Sequence, residues 1–164
     1  PVSARSKASL AQLAERSLPY GVTPHLEFMP WTCAPNLETA QDRIAGIANC
    51  TLLLDAFHLV RSGGRVDELQ HGDPQIGYLQ LCDIAGPIPI MDEILREARS
   101  ARLFPGEGEI DLPQLVRRLP DIAISLEVPA DQLRDTGLTA EMRARRAMET
   151  TLALLEQCGE ATRL

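Results

Sequence analysis

Four short apolar runs alternate with stretches of helical periodicity, and that alternation leaves the chain few folds to choose from. The runs are HLEFMPW (25–31), TLLLDAFH (51–58), IGYLQLCD (76–83) and AISLEVP (123–129). The spacing predicts helices over 9–18, after Asn36 with a stripe of Leu37, Ala40, Ile44 and Ile47, over 90–101, over 112–119 capped by Asp111, and over 139–158 ended by Gly159. Strands are expected over 22–31, 50–57, 76–82 and 122–128, with 61–67 a loop, 66–69 a short turn and 129–137 a polar connection. The order α-βα-βα-βα-βα implies a single α/β domain over 1–164 with a parallel sheet, either doubly wound or part of a (β/α) barrel.

Each run carries one oxygen-bearing residue: Glu27, Asp55, Gln80 and Glu127. A carboxylate or amide inside an apolar strand is costly to bury unless something compensates it. One such residue is an accident of packing or a strand-end salt bridge. One per strand, at similar positions, implies a shared partner, and a divalent cation is the simplest partner for three carboxylates and an amide oxygen. That hard donor set favours Mn²⁺, Mg²⁺ or Co²⁺ over the zinc of Cys/His sites. In a barrel, functional residues gather at the C-terminal strand ends, where these four fall.

Other residues are read around this set. His58, three after Asp55, faces the same pocket, to bind a substrate oxygen or serve as a further metal ligand. His25 is structural and His71, in QHGDP, solvated. Arg102 precedes LFPGEG and is either a clamp for a substrate carboxylate or phosphate or a basic residue closing a helix. Glu107 and Glu109 either orient Arg102 or His58 or lie in solvent. Trp31 and Phe57 suggest an apolar wall beside a small polar ligand.

A net charge of −7 and 4 % aromatic residues argue against a nucleic-acid surface. No apolar run is long enough to cross a membrane. Scattered cysteines at 33, 50, 82 and 158, and no signal-peptide pattern after Pro1, fit the cytoplasm.

The series LEFMPW, LLLDAFH, YLQLCD, RLFPGEGEIDL and ISLEVP resembles the xylose-isomerase-like TIM-barrel superfamily, in its sugar phosphate isomerase/epimerase branch. The resemblance implies that Glu27, Asp55, Gln80 and Glu127 are metal ligands on the fifth to eighth barrel strands. It also implies that Glu27 and Glu127 exchange protons with substrate carbon on opposite faces, and that His58 faces the pocket. Gln80 stands where many members place histidine; 3-dehydroshikimate dehydratases are among those with glutamine. A whole barrel needs about 200 residues or more, so the chain is expected to supply strands five to eight. The rest would come from a longer chain, a second copy or an N-terminal half-barrel partner.

The implied activity is a divalent-metal-dependent isomerisation or epimerisation of a sugar or polyol, by proton transfer next to a carbonyl. A dehydratase-like lyase is the alternative, and a non-catalytic fragment or interaction protein a third. The abasic-site endonucleases of the same superfamily need more histidines and a cationic groove than this sequence offers.

Overall fold

The computed structural model describes residues 2–159. Four strands, β1 (His25–Glu27), β2 (Thr51–Asp55), β3 (Ile76–Leu81) and β4 (Ala123–Leu126), form one open parallel sheet in sequence order. Around it lie α1 (Val2–Ser17), α2 (Leu37–Ile44), α3 (Ala56–Arg61), α4 (Met91–Ser100), α5 (Leu112–Arg118), α6 (Asp131–Asp135) and α7 (Ala140–Gln157). The parallel α/β class is as expected from the alternation of runs and helices.

Alternating side chains divide the sheet into two faces. Leu52, Leu54, Leu79 and Leu81 are fully buried against Ala40 and Ile44 of α2, Leu112, Leu115 and Val116 of α5, and Leu154 and Leu155 of α7. Leu26, Ile124 and Leu126 join that core from the two edge strands. The intervening residues, Glu27, Asp55, Gln80 and Ser125, therefore face the other way. A smaller core of Phe57, Cys82, Ile84, Ile94 and Ala98 sits at the strands' C-terminal ends.

The caps work as their side chains predict. Asn36 Oδ1 accepts from Thr39 N at 3.0 Å, Asp111 Oδ1 from Gln114 N at 3.0 Å, and Thr139 Oγ1 from Met142 N at 3.2 Å.

Several boundaries differ from expectation. The first strand is three residues long rather than spanning 22–31, because a turn over 30–34 follows it, closed by Thr32 onto Met29 O at 2.9 Å. The run 50–57 is not one strand: β2 stops at Asp55 and α3 starts at Ala56. Hydropathy cannot mark that switch, since Ala56, Phe57 and Leu59 are as buried as the strand before them. Arg61, read as loop, is the last residue of α3 and is buried against Glu97 of α4 through two contacts of 2.7 Å. The connection 129–137 contains α6. No helix among the described residues is long and apolar enough to cross a membrane.

Candidate active site

Glu27 and Asp55 end β1 and β2, Gln80 is the penultimate residue of β3, and Glu127 follows β4. Asp55 pairs in register with Gln80, and Gln80 with Ser125, so these side chains leave the sheet at one level. Ligand atoms of Glu27, Asp55 and His58 all lie within 4.8 Å of one another.

Asp55 organises the group. Its Oδ1 accepts from Phe57 N at 2.7 Å and His58 N at 3.2 Å, capping α3 and turning the chain so that His58 meets Glu27. His58 Nε2 is 3.5 Å from Glu27 Oε1, with the Trp31 ring edge-on at 5.2 Å. Asp55 Oδ2 accepts from Arg102 Nη1 at 2.7 Å. The same nitrogen lies 3.1 Å from Glu127 Oε2.

The electrostatics follow from this crowding. Burial, then the charges of Asp55 and Glu127, push the Glu27 carboxyl up to about 7, with Arg102 pulling the other way. Burial, then Arg102, push the His58 imidazole down to about 4, so it is neutral at pH 7. Burial also raises Glu127, against the pull of Arg102. The site thus holds a carboxyl poised near neutral pH, a neutral imidazole and a second raised carboxyl.

Whether these residues suit a cation can be judged from their unmet demands. Glu27 Oε1, His58 Nδ1 and Gln80 Oε1 are buried without a hydrogen-bond partner. Buried polar atoms seldom go unpartnered. Gln80 Oε1 can only accept, Glu27 Oε1 accepts when ionised, and neutral imidazole offers one accepting nitrogen. A cation would meet those demands, so the group fits a metal. His58, read from sequence as lying beside the metal set, brings a nitrogen donor into it.

The remaining expectations divide. His25 is structural: its Nδ1 lies 2.6 Å from Thr51 Oγ1. His71 is exposed. Glu107 and Glu109 orient neither Arg102 nor His58. Glu107 Oε1 accepts from Arg146 Nη2 at 2.6 Å, and Glu109 Oε2 from Gly86 N at 3.0 Å. Phe57 is fully buried beneath Arg102 rather than forming a wall of the pocket. Arg102 is itself 3 % exposed and points at the carboxylates, not at open space. A groove of about 430 Å³ between Val60, Val66, Ile110 and Gln114 lies apart from the carboxylates.

One residue that matters was not singled out by sequence. Asp83, 1 % exposed, accepts from Ile84 N at 2.9 Å, Gly106 N at 3.0 Å and Ile110 N at 3.1 Å, gathering the PGEGE loop. Its backbone bridges Leu103, the neighbour of Arg102. The available signal was a charged residue directly after an apolar run, which sequence alone cannot tell from a strand-end surface residue.

Residues 3–158 match the family model described as xylose isomerase-like TIM barrel. An inosose isomerase of Bacillus velezensis is 29 % identical over 157 residues, covering 90 % of this chain and 54 % of its own length. A 3-dehydroshikimate dehydratase of Pseudomonas aeruginosa is 37 % identical over 109 residues, covering 63 % of this chain and 16 % of its own. The crystal structure of the IolI protein with a bound zinc atom superposes with a TM-score of 0.79 at 26 % identity, over 94 % of this chain and 56 % of that one. The chain thus spans about half the length of the inosose isomerases it matches.

Proposed function

The chain belongs to the xylose isomerase-like TIM-barrel family, and we propose that it carries the metal-binding half of a sugar or polyol isomerase or epimerase working by proton transfer next to a carbonyl. The observation that carries this reading is the convergence of Glu27, Asp55 and His58 at the strand ends, with unpartnered acceptor atoms on Glu27, His58 and Gln80. The relatives' names point to the same class of reaction.

Glu27, Asp55, Gln80 and Glu127 are the proposed metal-holding residues, with His58 able to join them. A divalent cation there would polarise a substrate carbonyl and acidify the adjacent C–H; zinc, as in the IolI structure, and manganese are both candidates. The chain's own part is proton handling. Without metal the Glu27 carboxyl is raised to about 7; ionised beside the cation, it takes the proton from carbon as a general base. Glu127, which shares Arg102 with Asp55, returns a proton to the opposite face. Neutral His58 hydrogen-bonds a substrate hydroxyl.

The first step also serves a lyase: if a neighbouring hydroxyl leaves after proton removal, the outcome is dehydration. The local identity of 37 % to a 3-dehydroshikimate dehydratase favours keeping that second reading. The four strands are proposed to be the fifth to eighth of a complete barrel, the others supplied by a longer chain or a second copy. A cytoplasmic setting is proposed from the scatter of the four cysteines along the sequence.

The test is mass-spectrometric: the full natural chain with Mn²⁺ and a keto-inositol in D₂O is expected to place deuterium at the carbon next to the carbonyl, and Glu127→Gln to abolish net turnover. Turnover unchanged by Glu127→Gln would remove its assigned role. A product lacking water would select the lyase.

A further inference from the structure

We propose that Gly77 and the His25–Thr51 pair seated against it are a positioning element for the site: together they hold a bulge that reverses the facing of β3 and so brings Gln80 opposite Asp55. This rests on the metal reading above and adds to it three residues at the N-terminal ends of the strands, away from the carboxylates.

Strict alternation along a strand would put Ile76, Tyr78 and Gln80 on one face. Instead Ile76, Leu79 and Leu81 all join the core packed on α2, α5 and α7. The facing therefore changes between Ile76 and Leu79. The pairing with β2 shows where: Leu52 stands opposite Ile76 but Leu53 opposite Tyr78, so Gly77 is an extra residue. One extra residue in one strand is a bulge, a device that re-aims the side chains beyond it. Beyond this one, Asp55 stands opposite Gln80 and Gln80 opposite Ser125. Had β3 kept the alternation begun at Ile76, Leu79 and Leu81 would face the carboxylates and Gln80 would be driven, unpartnered, into the apolar core.

The bulge sits at residue 77 because its neighbours leave room there for glycine. A Cβ on Gly77 would fall on Thr51 Oγ1, and would lie 3.1 Å from Thr51 Cβ and 3.2 Å from His25 Cε1. Thr51 is held from swinging aside, since its Oγ1 lies 2.6 Å from His25 Nδ1 and a β-branched side chain has few rotamers. The His25 ring also lies 5.6 Å from the ring of Tyr78, the first residue past the bulge. Below it the backbone is tied by Leu52 N donating to Gln75 O at 2.7 Å and Thr51 N to Pro24 O at 3.2 Å. His25 and Thr51 thus fill the space that a side chain at 77 would take, and Tyr78 packs on them once the facing has changed.

The experiment compares wild type, Gly77→Ala, Gln80→Ala, Gly77→Ala/Gln80→Ala and Gly77→Ala/Thr51→Ala in the full natural chain, by calorimetric titration with Mn²⁺ and by metal-free crystal structures. Gly77→Ala is expected to weaken Mn²⁺ binding about tenfold or more, the loss typical of disturbing what orients a ligand. Once Gly77→Ala is in place, adding Gln80→Ala should cost less than about twofold more, because Gln80 has already left the site. Adding Thr51→Ala instead, which clears Oγ1 from the new methyl, should restore binding to within about threefold of wild type. Gly77→Ala that binds as wild type, losses at 77 and 80 that add in full, or no recovery with Thr51→Ala would each overturn the proposal. If Gly77→Ala fails to fold, Gly77→Ala/Thr51→Ala decides: folding with binding near that of wild type supports the bulge, and failure of either overturns it. If wild type takes up no Mn²⁺, the metal reading falls by itself and the metal-free structures decide. Gln80 opposite Asp55 in wild type and displaced from it in Gly77→Ala supports the bulge; Gln80 in the same place in both overturns it.

Discussion

At Glu27, burial and two neighbouring carboxylates raise the metal-free carboxyl to about 7. Replacing it with glutamine keeps the shape and removes the proposed base, so Glu27→Gln should lower the rate of carbon-bound hydrogen exchange by about 10²–10⁴-fold. Exchange within a few-fold of wild type would take the base assignment from it. The same shift has a stability sign. The folded carboxyl, raised to about 7, binds its proton more tightly than the unfolded one, so stability from this group is fully present below the unfolded pKa and is lost as pH rises towards 7. Glu27→Gln without metal should accordingly melt higher than wild type at pH 8 and no higher at pH 5; an equal gain at both would contradict that sign. His58 acts oppositely: its folded pKa is lowered to about 4, so its contribution is present above the unfolded value near 6.5 and is lost as pH falls through 4.

Among the elements, the junction of β2 with α3 and the PGEGE loop decide where the site residues stand. Gly108 lies against Asp83, and a Cβ there would fall on Asp83 Oδ1 and Ile84 O. Gly108→Ala should therefore cost about 1–3 kcal/mol or more in urea unfolding, because backbone and a thrice-bonded carboxylate cannot easily move aside; a change under about 0.5 kcal/mol would show that the loop is not held as described. These junctions also mark what sequence could and could not show. Glu27, Asp55, Gln80 and Glu127 were legible because a lone polar residue in an apolar run stands out against its neighbours. The partners of Asp55 were not legible, since Phe57 N and His58 N turn onto it only where the strand gives way to a helix, and Arg102 arrives from 47 residues away. The end of β2 was hidden by a helix whose first residues are as apolar as the strand, and Asp83 by the ordinary look of a charge after an apolar run.

For the whole molecule, the open sheet is the governing fact. β1 and β4 are its edges, and Leu18, Tyr20 and Val22 are exposed before β1, as Met142, Met148 and Leu152 are on α7. Unpaired edges beside exposed apolar side chains invite association. Residues 1–164 expressed alone should therefore self-associate with rising concentration in sedimentation velocity, and a monodisperse monomer at high concentration would contradict this. Glu27, Asp55, Gln80 and Glu127, drawn from four strands, are proposed as one metal centre, and anomalous diffraction from a Mn²⁺-soaked crystal of the full natural chain reads it out without any assay of turnover. A single strong peak is expected within bonding distance of these four side chains. No peak there, or a peak elsewhere on the sheet, would contradict it.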